Sequence, residues 1–108
     1  MENCELIYDM PDVSYYELDA LFAEVKVLIN TAVENQWLPS RNNMYIQDIQ
    51  DMCFNQHRFK DAGDNINTIL EYIQENESNA LSEKSSRELM AKLGELQTNL
   101  HKASSYYN

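Results

Sequence analysis

The chain has 108 residues, of which 44% are hydrophobic, and its 18 acidic and eight basic residues give a net charge of −10. This length predicts a single domain, and the hydrophobic content is that of a folded protein. The chain has only two glycines and two prolines, which favours helices, since sheets need frequent turns. The shortage of clustered Lys and Arg disfavours direct binding to nucleic acid or to an anionic membrane.

The negative charge is concentrated at one end. Residues 1–36 contain eight acids and one base, so −7 of the net charge lies in the first third of the chain. A basic protein is the natural electrostatic complement of such a segment. The simpler interpretation, that the acids only maintain solubility, stays open.

The start of the chain bears on location. It reads Met1-Glu2-Asn3-Cys4-Glu5, which is acidic where a signal peptide is basic. Its apolar runs are far shorter than the roughly 20 residues that span a membrane, and its two cysteines fit a reducing compartment. We therefore expect a cytoplasmic protein with no membrane association.

The first helix is predicted by its cap. Residues 1–13 are expected to form a leader arm, because Pro11 prevents a helix from continuing through them. Ser14 followed by Glu17 is a capping-box pattern, and it predicts a helix from Tyr15 to about Gln36. The segment from Trp37 to Ser40 is then expected to form a turn.

A second helical pattern begins near Asn43 and keeps its spacing past Gly63. Either one long helix runs through this glycine, or Gly63 ends a helix and Asp64 caps the next. Glycine within a helix costs up to about 1 kcal/mol relative to alanine, which is too little to decide. We favour a break or kink at Gly63.

The last helix is expected to start between Ser82 and Ser85, since Ser85 with Glu88 forms another capping box. A narrow apolar stripe follows, made of Leu89, Leu93, Leu96, Leu100 and Ala103. Residues 104–108 are expected to form a loose tail. The whole chain, 1–108, is thus predicted as one all-α domain. We expect a small antiparallel bundle of three long helices, or of four if the second is broken near Gly63.

No catalytic constellation is visible. Cys53 and His57 are four residues apart on a predicted helix and could supply two metal ligands, but no further ligand accompanies them. The sequence favours a buried thiol and a helix-end cation instead. Phosphate-binding glycine loops and nucleophile-base-acid patterns are also missing. We therefore expect no catalytic residue, no metal and no cofactor, and hence not an enzyme.

The first helix has apolar residues on two opposite sides. One stripe consists of Leu18, Leu21, Phe22, Val25, Leu28, Ile29 and Ala32, and the other of Tyr16, Ala20, Ala23 and Val27. A helix at the surface of a monomer needs only one such stripe. The second stripe is therefore core within its own chain, a contact with another chain, or plainly exposed. Met44 and Phe54, which fall off the main stripe of the second helix, are candidates to meet it.

Tyrosines accompany the acids of the first third, and rings beside carboxylates suit contact with arginine. The candidate partner-binding residues are Tyr8, Asp12, Tyr15, Tyr16, Glu17, Asp19, Ala20, Ala23, Glu24 and Val27.

The first functional hypothesis is an inhibitor or regulator of a basic protein. Its extreme form is a nucleic-acid mimic that occupies a DNA- or RNA-binding cleft, as a mobile genetic element could encode. The alternatives are a self-associating structural or chaperone-like subunit, with a homodimer through the second stripe, and an antitoxin or immunity protein.

Overall fold

The computed structural model describes residues 14–76 and 83–107, and the predicted leader arm therefore lies outside the described residues. Four helices make up nearly all of this part, and none of its residues forms a strand, which confirms the all-α class. In chain order they are α1 (Tyr15–Glu34), α2 (Arg41–Phe54), α3 (Phe59–Asn76) and α4 (Glu83–Tyr107).

Helix α1 begins where the cap was predicted. The hydroxyl of Ser14 accepts a hydrogen bond from the backbone N–H of Glu17 at 3.3 Å, which satisfies one of the free donors of the first turn. The helix ends two residues earlier than expected, in a Schellman motif. Gln36 has a φ of 65°, and Trp37 N–H donates to the carbonyl of Ala32. Gln36 N–H donates to the carbonyl of Val33 as the second bond of the motif. The two bonds together terminate the helix without a glycine.

The turn after α1 is more apolar than a surface turn. Trp37 and Leu38 are both buried, so the connection forms part of the core. Asn42, in the first turn of α2, is also fully buried, and its side-chain amide donates to the carbonyl of Pro39 at 2.8 Å. The turn is therefore fixed by packing and by a hydrogen bond.

The expected break at Gly63 is wrong, because Gly63 lies inside α3. The break falls earlier, between Phe54 and Phe59, where His57 has a φ of 53°. The Asp51 carboxylate accepts hydrogen bonds from the Asn55 and Gln56 side chains and so holds the end of α2. Residues 14–76 and 83–107 consequently contain four helices, and the second helical pattern is broken at a different place from the one predicted.

Gly63 serves a different purpose, the close approach of α3 and α4. A Cβ atom at this position would lie 2.6 Å from Cδ2 and 2.7 Å from Nε2 of His101, which is closer than non-bonded atoms allow. Gln97 Nε2 also donates to the carbonyl of Gly63 at 2.8 Å. The missing side chain thus lets two polar residues of α4 sit directly against the backbone of α3.

Helix α4 begins at Glu83, within the predicted interval, and its predicted apolar stripe is fully buried. Ser85 is already helical and is therefore not the N-cap that its capping-box pattern suggested. The helix also continues to Tyr107, through most of the segment expected to be a loose tail.

Each of the four helices contributes one apolar stripe to the core. Helix α1 contacts α2, α2 contacts α3, α3 contacts α4, and α4 contacts α1. The largest fully buried side chains include Phe22 on α1 and Phe59 on α3. Because α1 meets both α2 and α4, it has one inward face and one face turned away from these neighbours.

Candidate protein-binding surface

The outward stripe of α1 is exposed along its whole length. Tyr16 and Val27 expose 67% and 65% of their surface, and Ala20 and Ala23 between them are exposed as well. We call these four residues the outer face of α1. The alternative that they form core within the chain is therefore wrong for the structure as described. Two of the three alternatives remain, a contact with another chain or plain exposure.

The inward stripe of α1 is buried, in contrast to the outer face. Leu18, Phe22, Val25 and Ile29 are completely buried, and Phe22 meets the ring of Phe54 edge-on at 5.5 Å. Phe54 is thus part of the α1–α2 contact and does not join the outer face. Helix α1 needs only this inward stripe to hold its place in the fold.

Met44 does not extend the outer face either. It is 68% exposed and lies on α2, whose buried residues Ile46, Ile49 and Cys53 fix the inward side of that helix. Met44 points away from this side and is a further exposed apolar side chain, on a different helix from the outer face.

Carboxylates border the outer face. Glu17, Asp19 and Glu24 are exposed on α1. Glu24 pairs with Lys92 of α4, with Oε2 and Nζ 2.8 Å apart, and the hydrogen bond that Lys92 donates to Glu24 raises the pKa of Lys92. In the part of the chain that the structure describes, no cation pairs with Glu17 or Asp19. The border therefore keeps negative charge that an incoming basic group can meet.

A shallow depression of about 320 Å³ continues the outer face towards α4. It is lined by Glu24, Val27, Leu28, Glu88 and Lys92. Val27 belongs both to the depression and to the outer face, so the two form one surface. No pattern in the sequence indicated the contributions of Glu88 and Lys92, because they depend on how α4 packs beside α1.

Three predicted residues cannot be placed on this surface. Tyr8 and Asp12 lie outside the described residues, and for Tyr15 only the backbone, in the first turn of α1, is described. The remaining seven candidates are all exposed on α1.

The pair Cys53 and His57 does not share a helical face, because α2 ends at Phe54 and His57 lies in the turn. Cys53 is fully buried, and burial raises the pKa of its thiol to about 12. Its thiol is therefore inert in the folded protein. Within residues 14–76 and 83–107, no group of three His, Cys, Asp or Glu side chains is arranged to hold a metal ion.

No family model matches this chain, and comparison with curated proteins and with solved structures found no match. Among the described residues, no helix combines the length and the apolar character needed to cross a bilayer.

Proposed function

We propose that this protein works by protein–protein binding, as an inhibitor or regulator that covers a basic surface of its partner with the outer face of α1. The observation that carries the proposal is the exposure of Tyr16 and Val27, 67% and 65%, on a helix whose other stripe already secures it in the fold. Aromatic and aliphatic side chains at the centre of a patch, with charges at its rim, are the usual arrangement of a binding site.

The charge supports a basic partner over a second copy of the chain. Helix α1 carries Glu17, Asp19, Glu24 and Glu34 against Lys26 alone, so two such helices brought together would repel each other. A partner that presents Lys or Arg around an apolar centre would meet both features at once. The small side chains of Ala20 and Ala23 would allow its backbone to approach closely.

The proposal includes the arrangement of the helices. Sequential contacts and the closing contact between α1 and α4 support an antiparallel four-helix bundle, in which the outer face of α1 lies along one corner. A rigid corner helix presents its side chains with little loss of conformational entropy on binding. We also propose that the protein acts in the cytoplasm and has no catalytic activity of its own.

The test compares two exposed apolar side chains. Val27→Gln and Met44→Gln remove similar apolar surface from α1 and α2, since the two residues are 65% and 68% exposed. Immobilised wild-type protein and both variants are used to capture partners from the native cell at low and high salt. We expect a partner rich in Lys and Arg whose capture falls several-fold with Val27→Gln and with added salt, and is unchanged with Met44→Gln.

Light scattering of the purified protein tests the alternative that the protein self-associates. A wild-type dimer that Ala20→Glu converts to a folded monomer would replace the proposed partner by a second copy. Capture that is indifferent to salt, or equally reduced by both glutamine substitutions, would contradict the proposal.

A further inference from the structure

A second candidate site lies between α2 and α3 and has no residue of α1 in its lining. It is an open groove of about 270 Å³ lined by Tyr45, Asp48, Ile49, Met52, Asn65 and Thr68. This volume is below the roughly 300 Å³ at which pockets for small-molecule ligands usually begin. The groove is therefore sized for a single side chain.

The polar groups of the groove are hydrogen-bond acceptors on two opposite walls. Asp48 on α2 is exposed, and among the described residues nothing donates to its carboxylate. On α3, Asn65 uses its Nδ2 to donate to the Asp61 carbonyl at 2.7 Å, which leaves its Oδ1 as an acceptor. The hydroxyl of Thr68 adds a third polar group on the same wall.

The other walls are apolar and aromatic. Ile49 is buried at the base, and Tyr45 and Met52 flank it. The ring of Tyr45 stacks on that of Tyr72, with centroids 6.2 Å apart. A charged occupant with a flat or methylene surface would fit these walls and neutralise Asp48.

The chain already places one guanidinium on this aromatic pair. Arg41 lies over the ring of Tyr72, with Cζ 5.4 Å from the centroid, and its Nη1 donates to the Tyr72 hydroxyl at 3.2 Å. The Tyr72 ring thus accepts a guanidinium, and Tyr45 is the stacked ring on the groove side. A guanidinium also has several donors in one plane, which suits acceptors on two walls better than a compact ammonium does.

We infer that the groove between α2 and α3 binds an arginine side chain of a protein partner, placed between the Asp48 carboxylate and the Asn65 and Thr68 polar groups and stacked on Tyr45. The arginine stem would lie against Met52. This site is independent of the outer face of α1, so either one can fail while the other holds.

The test uses the full-length protein and three matched peptides, acetyl-Gly-Arg-Gly-amide and its lysine and citrulline counterparts, followed by NMR amide shifts. Citrulline has nearly the shape of arginine without the charge. We expect saturable shifts at Asp48, Asn65 and Thr68 with the arginine peptide, weaker binding of the lysine peptide, and no saturable shift with the citrulline peptide. Free arginine should bind more weakly than the peptide if a protein segment is the occupant.

Two variants separate the groove from general charge effects. Asp48→Asn should weaken binding of the arginine peptide about fivefold, the upper range for an exposed charge pair. Glu34→Gln, which removes one negative charge from the last turn of α1, should leave binding unchanged. Equal binding of arginine and lysine or citrulline peptides, tightest binding of the free amino acid, an absence of saturable shifts, or equal loss with both variants would overturn the inference.

Discussion

The α3–α4 contact and the outer face of α1 both have small residues where a second helix can approach, but only the first is occupied. At the α3–α4 contact, Gly63 leaves room for His101, and Gln97 bonds to the glycine carbonyl at 2.8 Å. On α1, Ala20 and Ala23 are exposed between Tyr16 and Val27. A small residue within a helix therefore marks a close approach only when another element supplies the neighbour.

Substitutions on the two sides of α1 should differ most strongly in their effect on stability. Phe22→Ala empties a fully buried position that contacts Phe54, and it should lower the free energy of unfolding by about 3–5 kcal/mol. Val27→Ala removes an exposed side chain and should change it by no more than about 0.5 kcal/mol. Urea denaturation measures both. Similar losses from the two substitutions would mean that the outer face is packed within the monomer.

A smaller effect is expected from enlarging the small residues themselves. Gly63→Val must displace the His101 ring and should destabilise the protein by about 1–3 kcal/mol. Gly94→Val controls for helix propensity, since a Cβ at Gly94 has no neighbour within 4 Å. Ala23→Val on the outer face should stay within about 0.5 kcal/mol of wild type.

A double substitution identifies the cause of the Gly63→Val loss. In a His101→Ala background the loss should disappear and leave only the small change that Gly94→Val shows, as measured by the same denaturation experiment. A loss of full size in that background would place the conflict elsewhere than at His101.

The smallest effect is a pH dependence of the α3–α4 contact. Hydrogen bonds from Lys60 and from His101, the latter with Nε2 3.1 Å from Oδ1, lower the pKa of Asp64 below its ordinary value of 3.8. A carboxyl group whose pKa is lowered on folding stabilises the fold above about pH 3.8. This stabilisation is lost as the pH falls through the pKa that the group has in the folded protein. Thermal denaturation from pH 6 to pH 2 should show a steeper loss for wild type than for Asp64→Asn. Parallel curves would show that Asp64 contributes no linkage.

Local signals in the sequence predicted much of the fold. The Ser14–Glu17 cap, the inward stripe of α1 and the leucine stripe of α4 all depend on neighbours in the same helix. All three are confirmed, except that Leu28 of the inward stripe is only partly buried and lines the depression beside α4. Gly63 could not be interpreted in this way, because its role depends on His101 of another helix. The break before Phe59 was not predicted. The left-handed backbone of His57 and the side-chain hydrogen bonds to Asp51 do not follow from a strong sequence signal in this segment.

The candidate site follows the same division. The sequence located the outer stripe of α1, but whether a stripe is covered depends on which helices pack beside it, so its exposure could be established only from the structure. The groove between α2 and α3 was not predicted at all. Its walls come from two helices, and neither Asp48 nor Thr68 is distinctive within its own segment.

The buried thiol of Cys53 can serve as a probe of how often the helices separate. Because the sulfur is enclosed and its pKa is about 12, an alkylating reagent can react with it only during transient separation of the helices. The rate of that alkylation therefore reports how often the closed molecule opens. A ligand that holds the helices together would slow the reaction without coming near the sulfur atom.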